Sequence, residues 1–269
     1  MNNVSKKGVR LIGLLPVTAA FLLIAFFILP KAIEYFNNSD GSTVSATSLQ
    51  KAKETISVFA QEQKLATDDW PEALVELLAG NPETKEFVLN YPVKKDETPE
   101  IDLGAYKDSS SVPLFLQWDQ RWGYSKYGRE VMGISGCGPT CLSMVCVYVL
   151  NDTSLDPKSV AQFAERNRYY VPGSGSSWTL ISEGGEKLGL DVTELPLDKN
   201  IVIRNLKAGD PIICVMGPGD FTATGHYIVM TGYEDGKIRV NDPNSVVRSE
   251  KLWEFNAISG QIRNLWVCK

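Results

Sequence analysis

Two residue types in this chain could do acyl-transfer chemistry together. Cys137 stands in Ser135-Gly136-Cys137-Gly138-Pro139-Thr140, ahead of the apolar run that continues to Leu150. Pro139 fits the first turn of a helix, where its missing N–H is no loss. The thiol is therefore expected at a helix amino end, where free N–H groups and the macrodipole favour a thiolate. The glycines on either side read as room for a substrate chain. His226, in Thr224-Gly225-His226, is the only histidine of the chain. Any acid–base work near neutral pH falls to it first.

A third member must come from whatever strand pairs with the one that His226 opens. Tyr227–Tyr233 and Lys237–Asp242 read as a hairpin closed at Glu234-Asp235-Gly236. A three-residue loop would set Met230 against Val240, so that His226, Ile228, Met230, Ile238, Val240 and Asp242 share one face. Lys237, Arg239 and Asn241 then lie on the other, with Tyr227, Val229, Thr231 and Tyr233. A two-residue loop would set Met230 against Asn241 and mix apolar with polar. Patterning favours the first register, which puts Asp242, rather than Asn241, diagonally across from His226. A thiol, an imidazole and a carboxylate are the parts of nucleophilic catalysis through cysteine. Gln117, in Leu116-Gln117-Trp118-Asp119-Gln120, is a candidate oxyanion donor beside the Cys137 N–H.

Other elements must hold these residues. Helices are expected at Gly138–Leu150 and Pro157–Asn167, after Ser177, and at Val202–Lys207. Strands are expected at Pro211–Met216, in the hairpin, and at Gln261–Val267. Helices first and strands later imply an α+β domain over 112–269. Before it, 49–111 reads as a helical segment and linker. Trp70-Pro71 opens a helix that Gly80-Asn81 closes, and a third short helix follows at Glu83–Asn90. These helices are too few for a core of their own and are expected to dock on the domain. Asn37–Ser48 is polar, and residues 31–48 read as a flexible stem.

Leu11–Leu29 carries no charged side chain and as a helix would cover roughly 30 Å, one hydrocarbon core. Lys6, Lys7 and Arg10 precede it, so residues 1–30 read as a cytoplasmic tail and signal anchor with the domain outside the cell membrane. A cleaved signal peptide is the competing reading, although ILPKAIEYF is a poor cleavage site. Residues 1–30 hold those three bases and no acid, which leaves 24 Lys+Arg against 32 Asp+Glu, a net of −8. That balance speaks against a nucleic-acid partner. One histidine and no CxxC pair speak against zinc, and no cofactor is expected. Of the five cysteines, Cys141 and Cys146 read as buried hydrophobes, while pairing of Cys214 with Cys268 stays open.

The segments PLFLQWDQRWGYSKYG, SGCGPTCLSMV, GHYIVMTGY and NDPNS, in that order, resemble the C39-like family of papain-fold cysteine peptidases of the bacterial cell envelope. The resemblance covers 113–269, with WPEALVELLAGNPETKEFVLNYP as a further candidate stretch. It implies a papain-like fold, Cys137 as nucleophile, His226 as base, Asp242 as orienting acid and Gln117 as oxyanion donor. It implies hydrolysis of a peptide or protein substrate through a thioester acyl-enzyme. Unlike the related domains of ATP-driven peptide exporters, this chain has no GxxxxGK[ST], so no nucleotide is expected. Two alternatives stay open. One is an acyltransferase or amidase on cell-wall peptides. The other is an inactive module in which Trp118, Trp122, Tyr124 and Tyr127 line a peptide or glycan groove.

Overall fold

The computed structural model describes residues 44–269. The apolar stretch 11–29 and most of the expected stem lie outside them. Among the described residues no helix is long and apolar enough to cross a membrane.

Three helices come first: α1 (Ala46–Gln63), α2 (Glu72–Gly80) and α3 (Lys85–Lys94). Helix α1 starts inside the expected stem because Ser45 caps it, its hydroxyl accepting from Ser48 N–H at 3.0 Å. The third helix runs to Lys94, four residues further than expected, with Pro92 inside it. These helices do dock. Their apolar faces share a cluster with Tyr124, and Trp118, Val131 and Ile134 pack against it. Phe87 of α3 stacks on Tyr124 with centroids 4.6 Å apart, and Tyr124 Oη donates to the Phe87 carbonyl at 2.9 Å.

Phe87 also fills the space over Gly133, where an added Cβ would lie 2.4 Å from its ring. Held by Tyr124, the ring cannot retreat. Gly133→Ala is therefore expected to cost about 1–3 kcal/mol, seen as a lower melting temperature. An unchanged melting temperature would contradict this seating of α3.

The domain proper is built on helix α4 (Cys137–Val149), buried at every position from Gly138 to Val147. A helix apolar all round belongs at the centre of a core. Helix α5 (Pro157–Arg166) packs beside it, with Asp156 Oδ1 accepting from Lys158 N at 2.9 Å and Ser159 N at 3.0 Å. On the other side of the sheet lies α6 (Lys199–Ala208), longer than expected because Asp198 caps its start and left-handed Gly209 its end.

The sheet has six antiparallel strands, β1 (Val192–Glu194), β2 (Ile212–Met216), β3 (His226–Glu234), β4 (Lys237–Asn241), β5 (Leu252–Trp253) and β6 (Ile262–Cys268), in the order β1-β6-β2-β3-β4-β5. This is the expected mix of helix and antiparallel sheet. The edge strands β1 and β5 were not expected: three and two residues are too short to show a period of two.

Side chains of the sheet alternate between two cores. Ile213, Val215, Tyr227 and Val229 face α4. Cys214, Met216, Ile228, Met230 and Val240 face α6. Cys214 pairs with Leu265, so Cys268, three residues further along β6, points to the opposite face. That placement rules out a bridge between Cys214 and Cys268, and all five cysteines are free thiols.

The hairpin has the expected pairing but a different turn. Glu234 pairs with Lys237, so the turn is the two-residue Asp235-Gly236, with φ of 50° and 80° as a type I′ turn requires. Met230 nevertheless faces Val240, because the register shifts between Met230 and Gly232. The extra residue there moves Tyr233 opposite Ile238, on the face expected to exclude it.

Candidate active site

Cys137 is the first residue of α4 and is half-buried. Both flanking glycines are required, though by the protein itself rather than by a substrate chain. A Cβ at Gly136 would lie 2.5 Å from the Met132 carbonyl, and one at Gly138 would lie 2.6 Å from Ser176 Oγ. Thr140 closes the start of the helix, its Oγ1 donating to the Gly136 carbonyl at 2.7 Å.

His226 opens β3 opposite Met216 and is buried. Its Nε2 lies 2.8 Å from Asp242 Oδ1, and the Cys137 thiol is its other charged neighbour. Asp242 is fully buried just beyond β4. Besides His226, its Oδ1 accepts from Asn244 N–H at 2.7 Å, and its Oδ2 accepts from Arg248 Nε at 2.5 Å. Asn241 points away and donates from Nδ2 to the Val112 and Pro113 carbonyls at 3.1 and 2.9 Å. The structure thus brings Cys137, His226 and Asp242 together as expected.

Arg248 was missed. It lies on the one-turn helix α7 (Val246–Glu250). The only signal for it is Ser245, whose Oγ accepts from Arg248 N–H at 3.1 Å in the manner of a cap.

Gln117 is buried and lines the same cavity as Cys137 and His226. Its Nε2 donates to the carbonyls of Gly133 at 2.9 Å and Ile134 at 3.2 Å, while Oε1 is buried with no hydrogen-bond partner among the described residues. Its backbone N–H donates to the Pro243 carbonyl at 2.7 Å. Gln117 therefore ties the turn before Cys137 to the loop after Asp242. An oxyanion would have to take an amide hydrogen now given to a carbonyl. The aromatic-groove reading fails, because Trp122, Tyr124 and Tyr127 are core residues.

The charges in the site reinforce one another. Burial pushes the Cys137 thiol up, but the facing His226 and the N–H groups of Tyr227 and Gly138 outweigh it and leave the pKa lowered. For His226, burial works against the charge. Asp242 and Cys137 outweigh it and raise the imidazole to about 10. Burial likewise disfavours the Asp242 carboxylate, yet His226 and Arg248 hold it below its ordinary value. Both shifts favour a thiolate on Cys137 beside an imidazolium on His226. Burial pushes the other four thiols up instead, Cys268 to about 12.

Cys137 sits where two cavities of about 680 and 410 Å³ meet. The first is walled by the hairpin turn at 173–175 and by Arg129 and Glu130, the second by α2 and the 219–225 loop. Among the described residues no three His, Cys, Asp or Glu side chains converge in a way that could hold a metal ion.

Residues 109–267 match the Peptidase_C39 like family. This chain belongs to that family. The match holds the C39-like domain and all four residues singled out from the sequence. The helical segment at 70–92, a candidate for the resemblance, lies outside it. The C39-like domain is similar in structure to the peptidase domain of Streptococcus ComA, described as a bi-functional ABC transporter of a quorum sensing pathway. Identity there is 19%, over 58% of this chain and 96% of that one, with a TM-score of 0.39. A protein named as a C39-like peptidase from Bacillus anthracis is 14% identical, over 59% of this chain and 94% of that one, with a TM-score of 0.38. No curated protein matches the chain.

Proposed function

We propose that this chain is a cysteine peptidase that cleaves a peptide bond through a thioester on Cys137. The observation that carries the reading is the buried His226–Asp242 contact of 2.8 Å, braced by Arg248 and set against a thiol at the start of α4.

In the resting state Cys137 is the thiolate and His226 the imidazolium. The thiolate attacks the substrate carbonyl carbon, and negative charge moves to its oxygen. The Cys137 N–H, at the helix start and without an intrahelical acceptor, receives that oxyanion. Gln117 Nε2 joins it by exchanging the longer of its two carbonyl contacts, the one to Ile134, for the substrate oxygen. Collapse of the tetrahedral adduct breaks the C–N bond, and His226 gives its proton to the leaving amine. Neutral His226 then takes a proton from water, whose oxygen attacks the thioester. The acid leaves, and the thiolate and imidazolium are restored. Asp242 stays ionised throughout and holds the imidazole in place.

Rapid acid quenching during turnover of a peptide substrate is the direct test. Intact-mass analysis is expected to show the full chain carrying the acyl half of the peptide on Cys137, labile to hydroxylamine. Peptide cleavage with no adduct on Cys137 would remove the thiol from the mechanism.

A further inference from the structure

Residues 44–108 precede the family match, yet they reach the loop that carries Asp242. After β4 the chain turns through Asp242-Pro243-Asn244-Ser245 into α7. The Glu83 carboxylate, on the turn Pro82–Thr84, accepts from Ser245 Oγ, from Val246 N–H at 2.7 Å and from Val247 N–H at 3.3 Å. Two residues earlier, Asn81 Nδ2 donates to the Asn244 carbonyl at 2.5 Å.

The two groups besides His226 that hold the Asp242 carboxylate are Asn244 N–H and Arg248 Nε. Both lie on the stretch that Asn81 and Glu83 grip. Helix α7 has five residues, and its first N–H groups have no acceptor within the helix. A single turn does not hold itself together in water. Glu83 supplies the missing acceptors, and Arg248 follows in the same turn.

We propose that Glu83 is a positioning residue for the Asp242–His226 pair, so that the segment outside the family match is a working part of the active site. This inference rests on the peptidase reading for its meaning, but its main readouts need no substrate. The charged groups around the imidazole are Cys137 from α4, Asp242 after β4 and Arg248 of α7 behind that carboxylate. If the turn loosens, Asp242 moves off the imidazole and the proton on His226 is held less tightly.

Because the chain has one histidine, a single imidazole signal reports this. The experiment follows the His226 signal by NMR against pH, and the rate of Cys137 alkylation by iodoacetamide against pH, in the full chain and in Glu83→Gln. The variant is expected to lower the His226 titration by about one pH unit and to move the alkaline change in alkylation with it. Turnover of a peptide is expected to fall about tenfold, with KM within about twofold.

Trp70→Phe serves as the comparator. It removes the bond from Nε1 to the Val88 carbonyl in the same segment without touching the loop, and is expected to lower the melting temperature and leave His226 unmoved. Should Glu83→Gln not fold, Glu83→Asp, which keeps the charge but withdraws it from Ser245, Val246 and Val247, is read the same way. A wild-type His226 titration in the folded variant, or an equal shift in Trp70→Phe, overturns the inference. A shift confined to Glu83→Gln in a chain that cuts no peptide upholds the inference and counts against the peptidase reading alone.

Discussion

Cys137→Ala is expected to lower peptide hydrolysis by about three orders of magnitude or more, with the chain still folded. The thiol is half-buried at the wall of the cleft, so its removal opens no cavity in the core. The pair of His226 and Asp242 survives it, since their contact does not involve the thiol. No other cysteine can take over. Cys141 lies one turn inside α4, and like Cys146, Cys214 and Cys268 it is buried, with its thiol pushed up rather than down. Hydrolysis assays on the purified variant, beside its circular dichroism spectrum, check this. Turnover near that of the wild type in a folded Cys137→Ala would end the account of Cys137.

His226→Ala is expected to lose a comparable amount, on the order of a thousandfold in kcat. The imidazole serves twice, first keeping the thiol ionised and then protonating the leaving amine. With it gone the chain has no second imidazole to substitute. Asp242 does not become an unpaired buried charge, because Arg248 Nε and Asn244 N–H still hold it. Folding is therefore expected to persist.

The same group gives a pH signature. The folded pKa of His226 is raised from 6.5 to about 10. Its contribution to stability is thus complete below about pH 6.5 and is lost as pH rises through about 10. Thermal melting of the wild type is expected to fall over that window more steeply than melting of His226→Ala.

Much of this site was legible in the residues themselves. A cysteine before Pro139, a lone histidine at the head of an apolar strand and a carboxylate on the partner strand are local patterns, and the structure joins them. The hairpin shows how a right pairing can rest on a wrong turn. Alternation of apolar side chains demands Met230 against Val240, but a bulge near Thr231, and not a longer loop, delivers it.

What stayed hidden depends on distance along the chain. Glu83 meets Ser245 across 162 positions, and neither residue has a periodicity that points to the other. Arg248 is six residues from Asp242, but its role follows from a turn too short to predict. Gly138 reads as open space because Ser176, which crowds it, comes from elsewhere in the fold, while Gly136 is crowded by the Met132 carbonyl through a turn too short to predict. The opposed faces of Cys214 and Cys268 follow from pairing of β2 with β6, which spacing alone does not specify.

In the proposed mechanism Cys137 rests as a thiolate beside a protonated His226. The rate of Cys137 alkylation by iodoacetamide between pH 4 and 11, followed by peptide mass mapping in the wild type and in His226→Ala, is the decisive measurement of that state. Selective labelling of Cys137 is expected in the wild type at a lower pH than an ordinary thiol needs, with a further change near pH 10 as the imidazolium loses its proton. In His226→Ala the labelling should instead appear only above the range of an ordinary thiol, since burial then acts with less to oppose it. Slow, uniform labelling of several cysteines, or a Cys137 profile unchanged by His226→Ala, would rule out the thiolate–imidazolium pair.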